Sequence, residues 1–258
     1  MTELEIAQKF RARANPPPLL FRYRQPTKWT LEEISKQQIY IAKPDELNDP
    51  FECSARVIWD ADLLRKKFVE EHAPKCGLSR IEAEKQFDAH HRDWSEELPR
   101  STAELIKQTG IICMSAIPNS IRMWSYYAKA HEGICIGYNT KKRPFYMAME
   151  VKYQNPDAPL EAVAALKLDP TEVALHTSLR KAEEWKFEQE YRIPVGIGNM
   201  PRLISIENGA ISEIRFGARV TREFKQKVLE SVPHLPHRPK LIQMGCDFDR
   251  FILTESII

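Results

Sequence analysis

Glycine is scarce in this sequence, with nine residues in 258. No strand-like segment is followed by a Gly-rich loop, which disfavours a Rossmann or P-loop phosphate cradle. The five cysteines, Cys53, Cys76, Cys113, Cys135 and Cys246, are odd in number and none has C-x-x-C spacing. That argues against a disulfide framework or zinc site and fits a reducing cytosol. Cys113 and Cys135 lie in apolar runs and read as small core residues. No window approaches the roughly 18 apolar residues of a spanning helix, so no membrane partner is expected. The opening MTELEIAQKFRARANPPP lacks the apolar stretch of a signal peptide, and a cytoplasmic location is expected. The formal net charge is only +2, so no global field draws the chain to nucleic acid or anionic lipid. Arg11, Arg13, Arg22 and Arg24 still form a local basic group, whose plain reading is a solvated surface.

What is present argues for a folded core: 43% hydrophobic residues, 29% charged residues and five Trp. Residues 3–13 read as a short helix stopped by Pro16, Pro17 and Pro18, so 1–18 form an N-terminal helix and a stiff link. Residues 19–258 read as a single α+β domain. LLFRYR alternates as a strand, with Phe21 and Tyr23 on one face and Arg22 and Arg24 on the other. Thr30 is expected to cap a helix TLEEISKQ, with Glu33 as its capping-box partner. A strand IYIA follows, then a turn in KPDELNDPFE. Residues 60–109 are polar with apolar positions at helical spacing, which predicts a helical insertion. IICMSAI, GICIGYN, FYMAMEVKY, YRIPVGI, SEIRFGARV, KLIQMGCDF and FILTESII read as strands. SIRMWSYYAKA, 158–187 and 221–231 read as helices.

Four groups of residues can carry chemistry. Arg22 and Arg24 share a strand face and can clamp a phosphate; the plain alternative is a charged edge strand. Asn48-Asp49-Pro50-Phe51-Glu52 reads first as a structural turn, with Glu52 placed to orient Arg22 or Arg24. Met123-Trp124-Ser125-Tyr126-Tyr127 is richer in aromatics than one packing face needs. Tyr127 and Tyr138 can sandwich a flat ring; core packing is the competing reading. If the strand after Trp185 begins near Glu188, then Glu188, Glu190 and Arg192 share a face. Charges in line on an apolar strand are costly unless exposed or paired. That leaves a solvated Glu190–Arg192 pair or a carboxylate held in a cleft. His90-His91, the turn His131-Glu132-Gly133, and the pair Asp247 and Asp249 are weaker signals.

The ordered series LFRYR, IYIAKPDELNDPFE, IICMSA, MWSYYAKAHEGICIGY and WKFEQEYRI resembles the bacterial family catalogued as domain of unknown function 2971, over roughly residues 19–220. More distantly the chain is similar to the ADP-ribosyltransferase superfamily. That superfamily has an Arg or His on the first strand, an aromatic or Ser element mid-chain, and a Glu opening a late strand. The spacing of Tyr127 and Tyr138 is similar to the diphtheria-toxin-like and poly-ADP-ribose branch. Glu188-Gln189-Glu190 resembles the E-x-E of the arginine-modifying branch, so the acceptor stays open. The long helical insertion is not a constant of that superfamily.

This resemblance implies a split sheet and NAD+ as substrate, with no metal required. It implies Glu190 as the catalytic carboxylate with Glu188 acting on the acceptor. Arg22 and Arg24 would meet the pyrophosphate, with Tyr127, Tyr138, Trp124, Ser125 and Asn48 in the NAD+-contacting set. It implies a toxin or phage-defence effector acting on a macromolecule, protein or nucleic acid, and leaves room for an antitoxin or regulatory partner. Two other classes fit the same residues. One is a nucleic-acid-binding protein or metal-dependent nuclease using Arg22, Arg24, the aromatics and Asp49, Glu52, Glu188 and Glu190. The other is a non-catalytic interaction or regulatory module.

Overall fold

The computed structural model describes residues 14–53, 61–154, 170–196 and 201–258. The helix expected over 3–13, and part of that expected over 158–187, lie outside these residues.

Strand β1 (Leu19–Arg24) buries Leu20 on one face and Phe21 and Tyr23 on the other, as its alternation requires. Helix α1 (Lys28–Ser35) is capped by Thr27, whose side chain accepts from Thr30 N. The cap expected at Thr30 is therefore corrected. A cap residue must be extended while the next turn is helical, and Thr27 supplies that backbone at φ −124°, ψ 164°. Thr30 instead sits buried inside the first turn, its hydroxyl donating to Gln25 O at 2.6 Å. β2 (Gln38–Tyr40) follows.

The helical insertion comprises α2 (Ala61–Lys67) and α3 (Arg80–Lys107), the latter opened by a Ser79–Glu82 capping box. It carries its own small apolar cluster, including Leu64, Phe68 and Phe87. Next come β3 (Thr109–Ser115), α4 (Ile121–Tyr127) and β4 (Ile134–Asn139). FYMAMEVKY is not one strand. Phe145–Met147 form a 3₁₀ turn that buries Phe145 on Tyr138, and only short β5 (Met149–Glu150) and β6 (Lys152–Gln154) follow.

Helix α5 (Pro170–Ser178) ends before Arg180 rather than running to Trp185. Arg180–Ala182 form β7, paired parallel to β6, and Glu183–Glu188 make a 3₁₀ turn. Then come β8 (Glu190–Gly196), β9 (Leu203–Ser205), β10 (Ile211–Phe216), α6 (Arg222–Ser231), β11 (Lys240–Asp247) and β12 (Ile252–Ile257). β9, which no sequence signal marked, pairs with β2.

The main sheet has eight strands in the order β12-β11-β10-β4-β1-β3-β8-β5. It is mixed, since β10 and β11 are parallel while β1 is antiparallel to both its neighbours. The fold is therefore α+β with a central mixed sheet, as expected. One face carries the larger core, with Leu20, Tyr138, Ile34 of α1 and Phe224 and Val228 of α6. The other packs Phe21 and Tyr23 on Met123 and Trp124 of α4.

β1 is an interior strand, not an edge. It pairs with β4 over all six of its residues but with β3 only at Phe21 opposite Ser115. Beyond that point Arg22, Tyr23 and Arg24 have no register partner on β3. The sheet thus has a seam in its middle.

Candidate functional site

A cavity of about 170 Å³ lies at the seam, walled by Phe21–Arg24 of β1 and Cys113–Ser115 of β3. The same cavity is lined by Asn48, Glu52, Tyr127, Lys181, Glu188 and Glu190. These six polar groups come from four separate stretches of chain.

The acidic end is a buried ion cluster. Glu190 opens β8 and Arg192 follows two residues later on the same face, so strand geometry sets the pair. Arg192 Nε donates to Glu190 Oε1 at 2.8 Å and Nη2 to Oε2 at 2.9 Å. Nη2 also reaches Glu52 at 2.7 Å, and Nη1 donates to Ser178 O at 2.9 Å. Lys181 Nζ lies 2.6 Å from Glu188, 3.1 Å from Glu190 and 3.1 Å from Glu52. All five side chains are at most 5% exposed. Three carboxylates thus face two cations away from water, an arrangement in which losing a cation leaves buried negative charge uncompensated.

Glu188 does not share the strand face of Glu190 and Arg192. Gln189 takes a left-handed backbone, φ 44°, which ends the 3₁₀ turn and brings Glu188 back beside Glu190. Ser115 Oγ holds this corner by donating to Glu188 O at 2.6 Å. Tyr153 fixes the strand start, accepting from Glu190 N at 2.7 Å. The Tyr127 hydroxyl donates to Glu188 Oε1 in a short bond and accepts from Asn48 Nδ2 at 3.0 Å.

The two neighbouring carboxyls are driven apart. Burial opposes ionisation of Glu190, but Arg192 and Lys181 outweigh it and hold its carboxyl at about 2. Burial and then the charge of Glu190 push Glu188 above the usual carboxylate range, against Lys181 and Tyr127. Such a divergence separates a permanent carboxylate from a group able to exchange a proton. Burial disfavours the charged form of Lys181, yet the surrounding carboxylates keep it an ammonium. Burial also pushes the Cys113 thiol well up, so no thiolate nucleophile forms in the wall.

The basic end is simpler. Arg22 and Arg24 converge on Glu33 of α1, at 3.4 Å and 2.9 Å. Tyr138 donates to the same carboxylate at 2.6 Å. Two guanidiniums thus meet one carboxylate on the α1 side of the sheet, the face that also carries Tyr138. Burial, partly offset by Glu33, lowers the Arg24 pKa. Its position is set by a close approach: a Cβ on Gly133 would stand 2.0 Å from the Arg24 carbonyl oxygen, so only glycine fits there.

Of the nine residues that the resemblance assigns to the NAD+ site, six line one cavity: Arg22, Arg24, Asn48, Tyr127, Glu188 and Glu190. Three do not. Tyr138 is fully buried on the α1 face of the sheet, stacked on Phe145 at 4.5 Å, and cannot close a slot with Tyr127. The ten-residue interval counts a helix, a turn and a strand, and the strand's parity turns Tyr138 to the other face. Trp124 is fully buried, edge-on to Tyr23 at 5.2 Å, with Nε1 donating to Pro118 O. Ser125 is spent on Ile121 O at 2.9 Å, outside the cavity.

Glu52 orients Arg192 and not Arg22 or Arg24, because Asp49 caps the turn by accepting from Phe51 N. The Glu190–Arg192 pair is buried, not solvated. Lys181, and Glu33 as the shared partner of Arg22, Arg24 and Tyr138, escaped the sequence reading. Lys181 sits in a segment with helical periodicity, and only the parallel pairing of β7 with β6 points it inward. Asp247 accepts from Asp249 N and Arg250 N, which makes it a turn cap. Among the described residues, no group of three or more His, Cys, Asp and Glu is arranged to hold a metal ion. Among them, too, no helix is long and apolar enough to cross a membrane.

No curated protein and no solved structure matches this chain. A family model does match, over a span that runs from α4 to β8 and takes in Tyr127, Lys181, Glu188, Glu190 and Arg192. Arg22, Arg24, Asn48 and Glu52 lie outside it. Over residues 123–193 the chain is similar to the family described as protein of unknown function DUF2971, which supports the resemblance carried by MWSYYA and ExEYR.

Proposed function

We propose that this chain is an NAD+-dependent ADP-ribosyltransferase-like enzyme that transfers ADP-ribose to a macromolecule, as a toxin or phage-defence effector does. The observation that carries the reading is that the seam cavity is lined both by the Glu188 and Glu190 carboxylates and by Arg22 and Arg24, whose guanidiniums turn to Glu33 on the α1 side. NAD+ carries both complements: a cationic nicotinamide ring with its ribose, and an anionic pyrophosphate.

The chemistry assigns each group a task. The glycosidic bond between ribose C1′ and nicotinamide breaks, and its electron pair leaves with the neutral nicotinamide. Positive charge develops on the ribose, and Glu190, locked ionised by Arg192 and Lys181, stabilises it. The acceptor's lone pair then bonds to C1′. Its proton passes to Glu188, whose raised pKa makes it the better base of the two. Arg22 and Arg24 face the pyrophosphate, and Tyr127 with Asn48 holds Glu188 in place. A metal-dependent nuclease would need the same carboxylates for its cation, but they already hold Lys181 and Arg192.

The test is incubation with NAD+ labelled in the adenylate half and a cell lysate, with Glu190→Gln compared at verified folding. Label transfer that depends on Glu190 supports the reading. Equal labelling by both proteins, or none by wild type, removes it.

A further inference from the structure

A second cavity of about 520 Å³ shares Arg24 with the first and is lined by Arg24, Trp29, Glu32, Glu33, Gln38, Tyr40 and Leu203. Arg24 thus walls both cavities. One side is the face of α1 that carries positions 29, 32 and 33, the i, i+3 and i+4 neighbours of a helix. The other is the β2–β9 pair, where Gln38 and Tyr40 share a strand face and Leu203 stands opposite Tyr40. Trp29, Tyr40 and Leu203 are 59%, 38% and 48% exposed, so three apolar surfaces face this space without burying one another.

The polar groups are unevenly committed. Glu33 is satisfied by Arg22, Arg24 and Tyr138. The Tyr40 hydroxyl is held by Glu46 and Arg202, and the Arg202 guanidinium covers its ring at 4.9 Å. Glu32 gives one carboxylate oxygen, Oε2, to Lys36 at 3.0 Å. The groove therefore offers the Trp29 ring, one face of which carries Lys28 Nζ at 4.4 Å, the Leu203 side chain, a carboxylate acceptor, an amide and a guanidinium.

We infer that this groove binds a purine nucleotide, with the base between Trp29 and the β2–β9 wall and the phosphate toward Arg24. Stacking on Trp29 accepts any flat base. The Glu32 carboxylate only accepts hydrogen bonds, so it favours a purine with an exocyclic amine over one with a carbonyl at that position. The inference extends the proposed function by placing the adenylate half of the same substrate, and it is tested without turnover.

AMP is titrated into the full chain by calorimetry, with IMP as comparison and melting temperatures recorded for every variant. Saturable AMP binding is expected, weakened at least tenfold by Trp29→Ala or Leu203→Glu and unchanged by Glu188→Gln. AMP is expected to bind several-fold tighter than IMP, with the preference erased by Glu32→Gln. No saturable AMP binding at millimolar concentration overturns the inference, as does AMP binding untouched by both groove substitutions. If AMP binds in the groove while NAD+ is never cleaved, the groove stands and the transferase reading falls.

Discussion

Arg192 and Glu190, two residues apart on one strand, meet through two hydrogen bonds of 2.8 and 2.9 Å with the guanidinium fully buried. Removing the charge on Glu190 leaves that guanidinium short of its main partner. Glu190→Gln is expected to lower unfolding stability by about 3–5 kcal/mol. Glu188→Gln, which replaces the carboxyl already pushed toward its neutral form, is expected to cost less than about 1 kcal/mol. Urea melts of both variants check the contrast; equal losses would mean that the two carboxyls are not electrostatically distinct.

Stability should follow pH in two opposed limbs. The Glu190 carboxyl falls from an ordinary 4.5 to about 2 on folding, so its contribution is complete above 4.5 and is lost as pH drops from 4.5 toward 2. Glu188 is raised on folding, so it costs stability at neutral pH and the cost fades as pH falls toward 4.5. A melting curve series from pH 8 to 2 (roughly the range in which carboxyls titrate) should show a shallow rise, then a steep fall. Glu188→Gln should abolish the rise and keep the fall.

Lys181 bridges three carboxylates. Lys181→Met is expected to cost about 3–5 kcal/mol, since it leaves Arg192 alone against all three. Adding Glu188→Gln should recover part of the loss, a coupling of about 1–3 kcal/mol in a double-mutant cycle. Additive effects would show that Lys181 acts through packing alone.

Tyr138 and Tyr127 separate structure from chemistry. Tyr138→Phe removes a donor from buried Glu33 and is expected to cost about 1–3 kcal/mol without changing NAD+ affinity. Tyr127→Phe removes the hydroxyl between Asn48 and Glu188 and is expected to slow transfer while costing about 1 kcal/mol. A larger loss of NAD+ affinity in the Tyr138 variant would reverse these assignments.

The strands with clean alternation or continuous apolar runs were legible: LLFRYR, IICMS, ICIGYN and YRIPVG all form. So was the helical insertion, because its apolar spacing is local. What failed depended on partners distant in sequence. Arg180–Ala182 has helical neighbours yet pairs as β7 because β6 offers it an edge. Leu203–Ser205 is too short for a period and exists only against β2.

The candidate site divides the same way. The spacing of Glu190 and Arg192 puts them on one face, and NDPFE reads as a turn. No pattern in the chain says that Glu52 and Lys181 meet there, since β7 and the turn that carries Glu52 converge on the start of β8 only in the folded chain. Parity along β4 decided against Tyr138, and sequence distance alone carried no information about it.

The most direct test is nicotinamide release from NAD+ by wild type, Glu188→Gln and Glu190→Gln, each assayed below its own melting temperature. The account predicts measurable release by wild type and a loss of about 100-fold or more in folded Glu190→Gln. Glu188→Gln should retain release while losing transfer to the acceptor. Undiminished release by folded Glu190→Gln, or no release by wild type with lysate present, would contradict it.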